Sequence, residues 1–222
     1  MQITCRAGDL KAAVDVASKP VAAKSTQNAL TYVLLDADDG CVTVTGADLR
    51  VRTCCQSAAD VDVAGAVLLP PTDLETVLAQ CPDDASVSLT VSASYRVTVT
   101  CGRMVVRLTG ADPETYPIAP NIRDTATFTV TSERLTEAIR STVFAARKDD
   151  ARPVLSAVQL VVSQAGLALM AADGERVAQR TIAVDADAPD CTLLIPGSSL
   201  RLMAPSLARR GSQVATLMVG TA

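Results

Sequence analysis

The chain has 222 residues and a formal net charge of −4, and 49% of its residues are hydrophobic while 20% are charged. This composition is that of a globular protein and excludes a uniformly basic nucleic-acid binder, although it allows a local basic face. Seven cysteines without a Cys-x-x-Cys pair, together with a lack of histidine, argue against a zinc site and favour reduced structural thiols. The sequence has neither a signal-peptide pattern nor a bilayer-spanning apolar run, so we expect a cytoplasmic protein with no membrane partner.

The first half of the chain predicts an initial strand, a helix, several strands, a second helix and a final strand meander. We expect the first helix at residues 10–17 with Asp9 as its N-cap, and a second helix capped by Thr72. Asp38-Asp39-Gly40 predicts a hairpin turn. The other predicted strands are 29–36, 41–46, 50–56, 67–69, 87–91, 96–100 and 105–108.

The second half predicts the same order of elements. A strand at 127–130 precedes a helix that Ser132 is expected to cap and that runs to about Ala146. A second helix is expected after Pro196. The remaining predicted strands are 155–162, 167–171, 177–184, 192–195 and 214–219. Residues 110–124 carry three prolines and predict a linker, which places the domains at 1–122 and 123–222.

The two halves share hydrophobic landmarks at an offset of 125 residues, as between Leu10 and Leu135. Further pairs at this offset are Leu30 and Leu155, Leu35 and Leu160, Asp48 and Asp173, Leu68 and Leu193, and Pro71 and Pro196. This constant offset predicts that one α+β fold is used twice in tandem. Each copy is near the commonest domain size, so each copy should be a domain. Ala222 would match Val97 at this offset, and we therefore expect the second copy to lack its last strands.

In their order and spacing, several segments resemble the bacterial DNA polymerase sliding clamp, the ring-forming beta subunit of the replicative polymerase. They are residues 34–40, residues 44–49, Gly102-Arg103, the acidic-aromatic-proline segment 111–117, and the turn Ala-Asp-Gly-Glu-Arg-Val at 172–177. The resemblance implies tandem DNA-clamp domains, each with two helices packed on antiparallel sheets, with the second incomplete and a third absent. It further implies a non-catalytic processivity factor without a cofactor. It also implies that this chain is a fragment or a truncated product, which should not close the usual two-protomer ring alone.

Basic residues collect on the predicted helices, which suits a ring that attracts DNA phosphates without reading bases. The resemblance and this charge pattern together give four candidate DNA-facing residues: Lys24, Arg140, Lys148 and Arg201. Asp73 and Ser198 depart from the family pattern of basic or polar contacts. The alternative is that the basic residues merely form solvated helix faces.

The resemblance also implies a groove that captures short, partly apolar peptides of the polymerase, the clamp loader and repair proteins. Its matching residues are Leu155, Ala172, Gly174, Glu175, Arg176 and Val177. Leucine and valine would give an apolar floor, and glycine would permit close backbone approach. The alternative is a plain strand-to-strand turn with a solvated arginine.

Arg96 and Arg103 match positions of the family's protomer interface in its self-associated ring. The alternative is that arginines on an edge strand only oppose aggregation. A function of another class also stays open: Asp48 and Asp173 could hold a divalent metal in a phosphodiesterase or nuclease. Against it, aspartates at such positions are usually turn residues, and no phosphate-cradling glycine loop occurs. We therefore expect no catalytic residue and no metal ligand.

Overall fold

The computed structural model describes residues 1–22, 24–120, 123–148, 152–163, 165–186 and 190–221. The chain divides into two compact units, Met1–Ile118 and Ala119–Ala222. Each unit packs helices against antiparallel strands around its own hydrophobic core. The predicted α+β class is confirmed in both.

The described part of the first unit contains an eight-stranded sheet. Its strands are β1 (Gln2–Arg6), β2 (Val33–Asp38), β3 (Cys41–Ala47), β4 (Arg52–Val63), β5 (Gly65–Leu69), β6 (Ser86–Val91), β7 (Arg96–Cys101) and β8 (Met104–Thr109). They lie in the order β5-β2-β3-β4-β1-β6-β7-β8. The long strand β4 makes the sheet continuous, because residues 52–58 pair with β3 and residues 59–63 pair with β1.

Two helices, α1 (Ala7–Ala17) and α2 (Pro71–Ala79), lie in the first unit with short 3-10 turns at Asn28–Thr31 and Pro113–Thr115. The apolar stripe of α1 is buried in the core, including Leu10 and Val14. The predicted hairpin is confirmed: Asp39 (φ 45°) and Gly40 (φ 74°) both adopt the left-handed conformation that a two-residue type I′ turn requires.

The expected caps of both first-unit helices are wrong. The first helix begins at Ala7, so Asp9 lies in its first turn, and α2 begins at Pro71, so Thr72 lies inside it. The first amides of α1 donate instead to backbone carbonyls: Ala7 N to Ala85 O at 2.9 Å and Gly8 N to Asp83 O at 3.0 Å. A distant segment therefore satisfies the helix start, which local sequence cannot reveal.

The second unit repeats the element order in two separate sheets. Its described strands are β9 (Arg123–Thr131), β10 (Ala157–Ser163), β11 (Gly166–Ala172), β12 (Val177–Ile182), β13 (Asp185–Ala186), β14 (Cys191–Pro196) and β15 (Val214–Thr221). They form the sheets β12-β11-β10-β14 and β13-β9-β15. Its helices are α3 (Ser132–Thr142), the short α4 (Pro153–Ser156) and α5 (Gly197–Ala208), with a 3-10 turn at Val143–Ala145.

Three boundary expectations for this unit are corrected. Ser132 does not cap α3 but is its first residue, and its amide donates to Gln213 O at 2.8 Å. The helix ends at Thr142, before Ala146, because a 3-10 turn follows it. Leu155 lies in the turn of α4 and not in a strand, since Pro153 favours the start of a helix.

The expected linker 110–124 is shorter in the structure. Ala111 bridges to Leu68, and Tyr116 is buried in the first unit. At the other end, strand β9 already begins at Arg123. Asn121 and Ile122 lie outside the described residues.

The offset between the copies is 125 residues from β1 and β9 through β4 and β12, and it then grows. Leu35 pairs with Val67 while Leu160 pairs with Leu193, which raises the offset to 126 at β14. Ile3 pairs with Leu89 while Phe128 pairs with Leu217, which raises it to 128 at β15. The expected match of Leu68 with Leu193 is therefore wrong in register. The expected match of Val97 with Ala222 lies outside the described residues, and β7 and β8 have no counterpart in the described part of the second unit.

Candidate functional site

The turn between β11 and β12 is organised by Asp173. Its Oδ1 accepts the amides of Glu175 and Arg176, both at 3.0 Å, and its Oδ2 accepts Nε of Arg176 at 2.7 Å. The amide donors of Glu175 and Arg176, and then the Arg176 side chain, hold the pKa of the Asp173 carboxyl below its ordinary value. Gly174 has φ 98° with open space around it, so the turn presents its backbone to solvent.

Arg176 also lies over an exposed aromatic ring. Its Cζ is 5.9 Å from the centroid of Phe144, a distance that permits a cation–π contact. The Phe144 side chain is 56% exposed although it follows α3 directly. Phe144 was not among the predicted groove residues, and its only signal in the sequence is the scarcity of aromatic residues in this chain.

Apolar side chains lie beside this turn on the outer face of the four-stranded sheet. Met170, Val177 and Leu194 are 40%, 68% and 57% exposed, and Ala172 is half-buried. The register aligns them: Gln159 pairs with both Met170 and Leu194, and Ala172 pairs with Val177. We call Met170, Ala172, Val177 and Leu194 the open face. Leu155, half-buried in α4, directly precedes the central strand β10.

The structure thus brings Ala172, Gly174, Glu175, Arg176 and Val177 to one end of the sheet. Of the six predicted groove residues, Gly174, Glu175, Arg176 and Val177 are exposed, and Leu155 and Ala172 are half-buried. Met170 and Leu194 were missed by sequence reasoning. Their alternation on strands was visible, but which face would remain uncovered was not.

Asp48 forms the same kind of turn in the first unit. Its Oδ1 accepts the amides of Arg50 and Val51, both at 2.6 Å. The carboxylates of Asp48 and Asp173 are therefore committed to their own turns. Among the described residues no group of three or more acidic, cysteine or histidine side chains could hold a metal ion. The geometry gives the nuclease alternative no support.

The candidate DNA-facing residues differ in their surroundings. Lys24, Arg140 and Lys148 are exposed. Arg201 is half-buried, and its Nη2 donates to Val143 O at 2.7 Å and Ala146 O at 3.0 Å. Arg201 therefore ties α5 to the 3-10 turn that follows α3.

Arg96 and Arg103 lie at the β8 edge of the first-unit sheet. Arg96 starts β7 and Arg103 follows Gly102 in the turn to β8, and both arginines are exposed. Arg107, on β8, lines a shallow surface cavity together with Arg96. Arg107 adds a third cation to this edge that sequence reasoning did not select.

All seven cysteines are free. Cys5, Cys81 and Cys101 are buried as expected, whereas Cys54 is exposed. Burial raises the pKa of Cys5 to about 11, and burial with the neighbouring Cys101 raises that of Cys81 to about 11. None of the described helices has the length and apolar character needed to cross a bilayer.

Comparisons with known proteins bear on the whole chain. The family model for the DNA polymerase III beta subunit N-terminal domain matches residues 1–120, and that for its central domain matches residues 129–221. The beta sliding clamp of Synechococcus elongatus is 28% identical over 219 residues, which cover 97% of this chain and 58% of that protein. That of Halalkalibacterium halodurans is 28% identical over 198 residues, covering 84% of this chain and 52% of that protein.

Solved structures agree in fold. The DNA polymerase sliding clamp of Bacillus subtilis has a TM-score of 0.93 at 23% identity, covering 100% of this chain and 60% of that one. A sliding clamp of Pseudomonas aeruginosa bound to griselimycin has a TM-score of 0.91 at 22% identity, again covering 100% and 60%. The chain thus spans less than two thirds of the length of these relatives. The TM-scores confirm the expected tandem clamp fold. The chain belongs to the DNA polymerase III beta subunit family, whose N-terminal and central domain models it matches in order.

Proposed function

We propose that the chain serves as part of a bacterial sliding clamp, a non-catalytic processivity factor that encircles duplex DNA in the cytoplasm. The observation that carries this proposal is the tandem use of one fold, with the two domain models matching in family order. A fold repeated around a ring suits a protein that must surround DNA without reading its sequence.

For DNA, the proposal relies on mobile electrostatic attraction. Lys24, Arg140 and Lys148 are exposed cations that can neutralise phosphates in any sequence. Arg140 shares a cavity with Glu133 and Glu137, so its attraction for phosphate is partly offset. Arg201 contributes by positioning α5, since its guanidinium already donates to two carbonyls. The binding is accordingly weak and strongly dependent on salt.

For partner proteins, the proposal assigns peptide docking to the second unit. Leu155, Ala172 and Val177 supply apolar contact, and Gly174 and Glu175 supply accessible backbone beside them. Arg176 forms the rim, held by Asp173 and lying over Phe144. Polymerase and clamp-loader subunits would dock short motifs here.

For ring assembly, the proposal assigns the β8 edge of the first unit to a protomer contact. In the described part of the chain no strand pairs with the outer edge of β8, and this edge carries the exposed cations Arg96, Arg103 and Arg107. Val105, on the same strand, is 59% exposed and offers apolar area. An acidic strand edge on another clamp subunit would fit it.

The peptide-docking role is tested with a labelled peptide containing Gln, Leu and Phe, titrated into the full chain and followed by fluorescence anisotropy. Arg176→Ala should weaken binding by roughly tenfold, because the rim loses both its charge and its contact with Phe144. Arg180→Ala is the matched control, since Arg180 is also exposed but pairs with Glu137. Equal binding by the wild type and Arg176→Ala, or no binding to either, would refute the docking role.

A further inference from the structure

Two buried thiols of the first unit lie against each other, one just after a helix and one at the end of a strand. Cys81 follows α2, Cys101 is the last residue of β7, and their side chains are in hydrogen-bond contact. We propose that Cys81 and Cys101 are a redox pair, which hydrogen peroxide closes into a disulfide that stabilises the first unit and which a small thiol reopens. The pair does not depend on the proposed clamp role, because both cysteines belong to the core of one unit.

Cys81 enters the core from the end of α2. Its amide donates to Leu78 O at 3.1 Å, and its Sγ donates to Val77 O at 3.6 Å, so the side chain stays against the last turn of the helix. The residue is 4% exposed. It lies two positions beyond the end of α2 and is followed by Pro82. Its backbone is therefore outside the regular helix, where small adjustments are easier than in the helix interior.

Cys101 enters the same core from β7. Val97, Val99 and Cys101 alternate along this strand and are all buried, with Cys101 at 8% exposure. Cys101 pairs with Met104 across a tight turn in which Gly102 has φ 58°. Because each cysteine lies at the end of its element and faces the shared core, little movement is needed to bring the two sulfurs to bonding distance.

Cys5 shows why burial alone does not make such a pair. It pairs with Val87 on β6, and Val87 pairs with Cys101 on β7, so a whole strand separates Cys5 from Cys101. Two strand spacings are about 9–10 Å, which exceeds the limit of roughly 7 Å between the Cα atoms of a disulfide. Burial, followed by the charge of Asp9, raises the pKa of Cys5 to about 11. Cys5 thus resembles the pair in burial but cannot bond to Cys101.

The proposed reaction has two balanced steps. The sulfur of Cys101, the more exposed of the two, attacks one oxygen of hydrogen peroxide; the O–O bond breaks, a sulfenic acid forms, and the other oxygen leaves as water with the thiol proton. The sulfur of Cys81 then attacks the Cys101 sulfur, and the sulfenic hydroxyl leaves as a second water with the Cys81 proton. Two electrons pass from the two thiols to one peroxide, which gives one disulfide and two waters.

The surroundings of Cys81 favour reaction with its neighbour over reaction with reagents from solution. Burial and then the contact with Cys101 raise the pKa of the Cys81 thiol to about 11, while the ammonium of Lys11 acts in the opposite direction. Lys11 is held nearby by Asp83, with Nζ 3.4 Å from Oδ1. The Cys81 thiol is therefore a slow nucleophile towards outside electrophiles. A sulfenic acid on Cys101, in contrast, would meet Cys81 at a very high effective concentration.

The disulfide would tether the segment on which the first helix depends. Just beyond Cys81, the carbonyls of Asp83 and Ala85 accept the amides of Gly8 and Ala7, the first residues of α1. A bond from Cys81 to β7 closes a loop of about 20 residues, which restricts the unfolded chain. The thermal midpoint of the first unit should therefore rise by roughly 5–10 °C on oxidation.

The test treats the full chain with hydrogen peroxide and maps its disulfides by mass spectrometry without reduction. Trypsin cuts after Arg96 and so separates the two cysteines, and fragmentation of the joined peptides assigns the bond to Cys81. A Cys81–Cys101 disulfide should be the main intramolecular product. Dithiothreitol should restore both thiols and reverse the rise of the thermal midpoint.

Cys5→Ala is the matched control, because Cys5 is equally buried and lies on the same face of the sheet. It should form the Cys81–Cys101 bond in the yield of the wild type, whereas Cys101→Ala should lose both the bond and the rise in midpoint. The wild-type map alone keeps the test decisive if a variant fails to fold.

Three results would overturn the proposal. The first is a folded wild type in which peroxide oxidises Cys54 but leaves Cys81 and Cys101 as thiols or converts them only to sulfinic or sulfonic acids. The second is a disulfide from Cys81 to any other cysteine, within the chain or between two chains. The third is a Cys81–Cys101 bond that forms without raising the thermal midpoint.

Discussion

The two units share a fold down to the way their helices begin, yet they finish the same sheet face differently. In both, a backbone segment supplies carbonyls to the first helix: Ala7 N donates to Ala85 O, and Ser132 N donates to Gln213 O. In the first unit Tyr116 covers the outer face, whereas Met170, Val177 and Leu194 on the corresponding face of the described second unit are exposed. Exposed apolar side chains grouped on one sheet face are typical of a surface that contacts another segment or another protein.

A second difference lies in the sheets themselves. Strand β4 runs unbroken for 12 residues and joins the two halves of the first-unit sheet. Its counterpart is split into β12 and β13, so the second unit forms two sheets. The described strands thus form one continuous sheet in the first unit and two sheets in the second.

The largest loss of stability is expected at core positions that the two units share. Leu35→Ala and Leu160→Ala remove equivalent core side chains, which are 0% and 1% exposed. Each should lower the free energy of unfolding of its unit by about 2–5 kcal/mol, measured by urea denaturation. Leu49→Ala, at a side chain 72% exposed, is the control. A small loss for Leu160→Ala alone would mean that the second copy lacks a packed core.

The next largest loss of stability is expected for substitutions of Tyr116, which covers the outer face of the first-unit sheet. Tyr116→Ala should cost about 3 kcal/mol, because a buried ring is lost from over Leu68. Tyr116→Phe keeps the buried ring and removes the hydroxyl that donates to Thr45 O, so it should cost about 0.5 kcal/mol. Urea denaturation measures both. Similar losses for the two variants would show that the hydroxyl, and not the ring, holds the segment.

Thiol reactivity should separate the interior of the first unit from its surface. Raised pKa values of about 11 for Cys5 and Cys81 leave little thiolate near pH 8. Cys54 is exposed and should be alkylated first, with Cys5 and Cys81 slower by about 100-fold or more. Mass spectrometry of timed iodoacetamide reactions measures the order. Early alkylation of Cys81 in the folded chain would contradict the packing described.

The smallest change in stability is expected for a substitution of Asp173, in the turn between β11 and β12. Because the folded-state pKa of Asp173 is lowered, its stabilisation is present above the ordinary value of 3.8 and is lost as the pH falls through the folded-state pKa. Asp173→Asn keeps an acceptor oxygen but no charge, so its stability deficit should shrink below that pH. Thermal midpoints against pH measure this, with Glu175→Gln as the control. A deficit that is constant with pH would exclude the charge as the cause.

Much of the fold could be predicted from periodicity, turn chemistry and the repeat. The hairpin at Asp39-Gly40 and the presence of eight strands in the first unit follow from local patterns. The predicted strand 29–36 is wrong at its start, because a 3-10 turn occupies Asn28–Thr31 and the strand begins at Val33. The expected caps at Asp9 and Ser132 failed because the helix starts are satisfied by backbone remote in sequence.

The candidate site was less accessible to sequence reasoning. The Asp173 turn was found because glycine and aspartate mark it locally. Phe144, Met170 and Leu194 were missed, because their exposure depends on what covers a sheet face, which periodicity does not encode. The one-residue shift at β14 also hid the match between Leu68 and Leu194.

Backbone amide exchange at Leu68 and Leu194 tests most directly whether one unit is covered and the other open. Leu68 N donates to Ala111 O at 3.1 Å, so its exchange should be nearly as slow as that of Leu69. Leu194, at the same strand position, should exchange faster than Ile195 by about 100-fold or more. Slow exchange at Leu194 in the isolated chain, matching that of Ile195, would contradict an open face in the second unit.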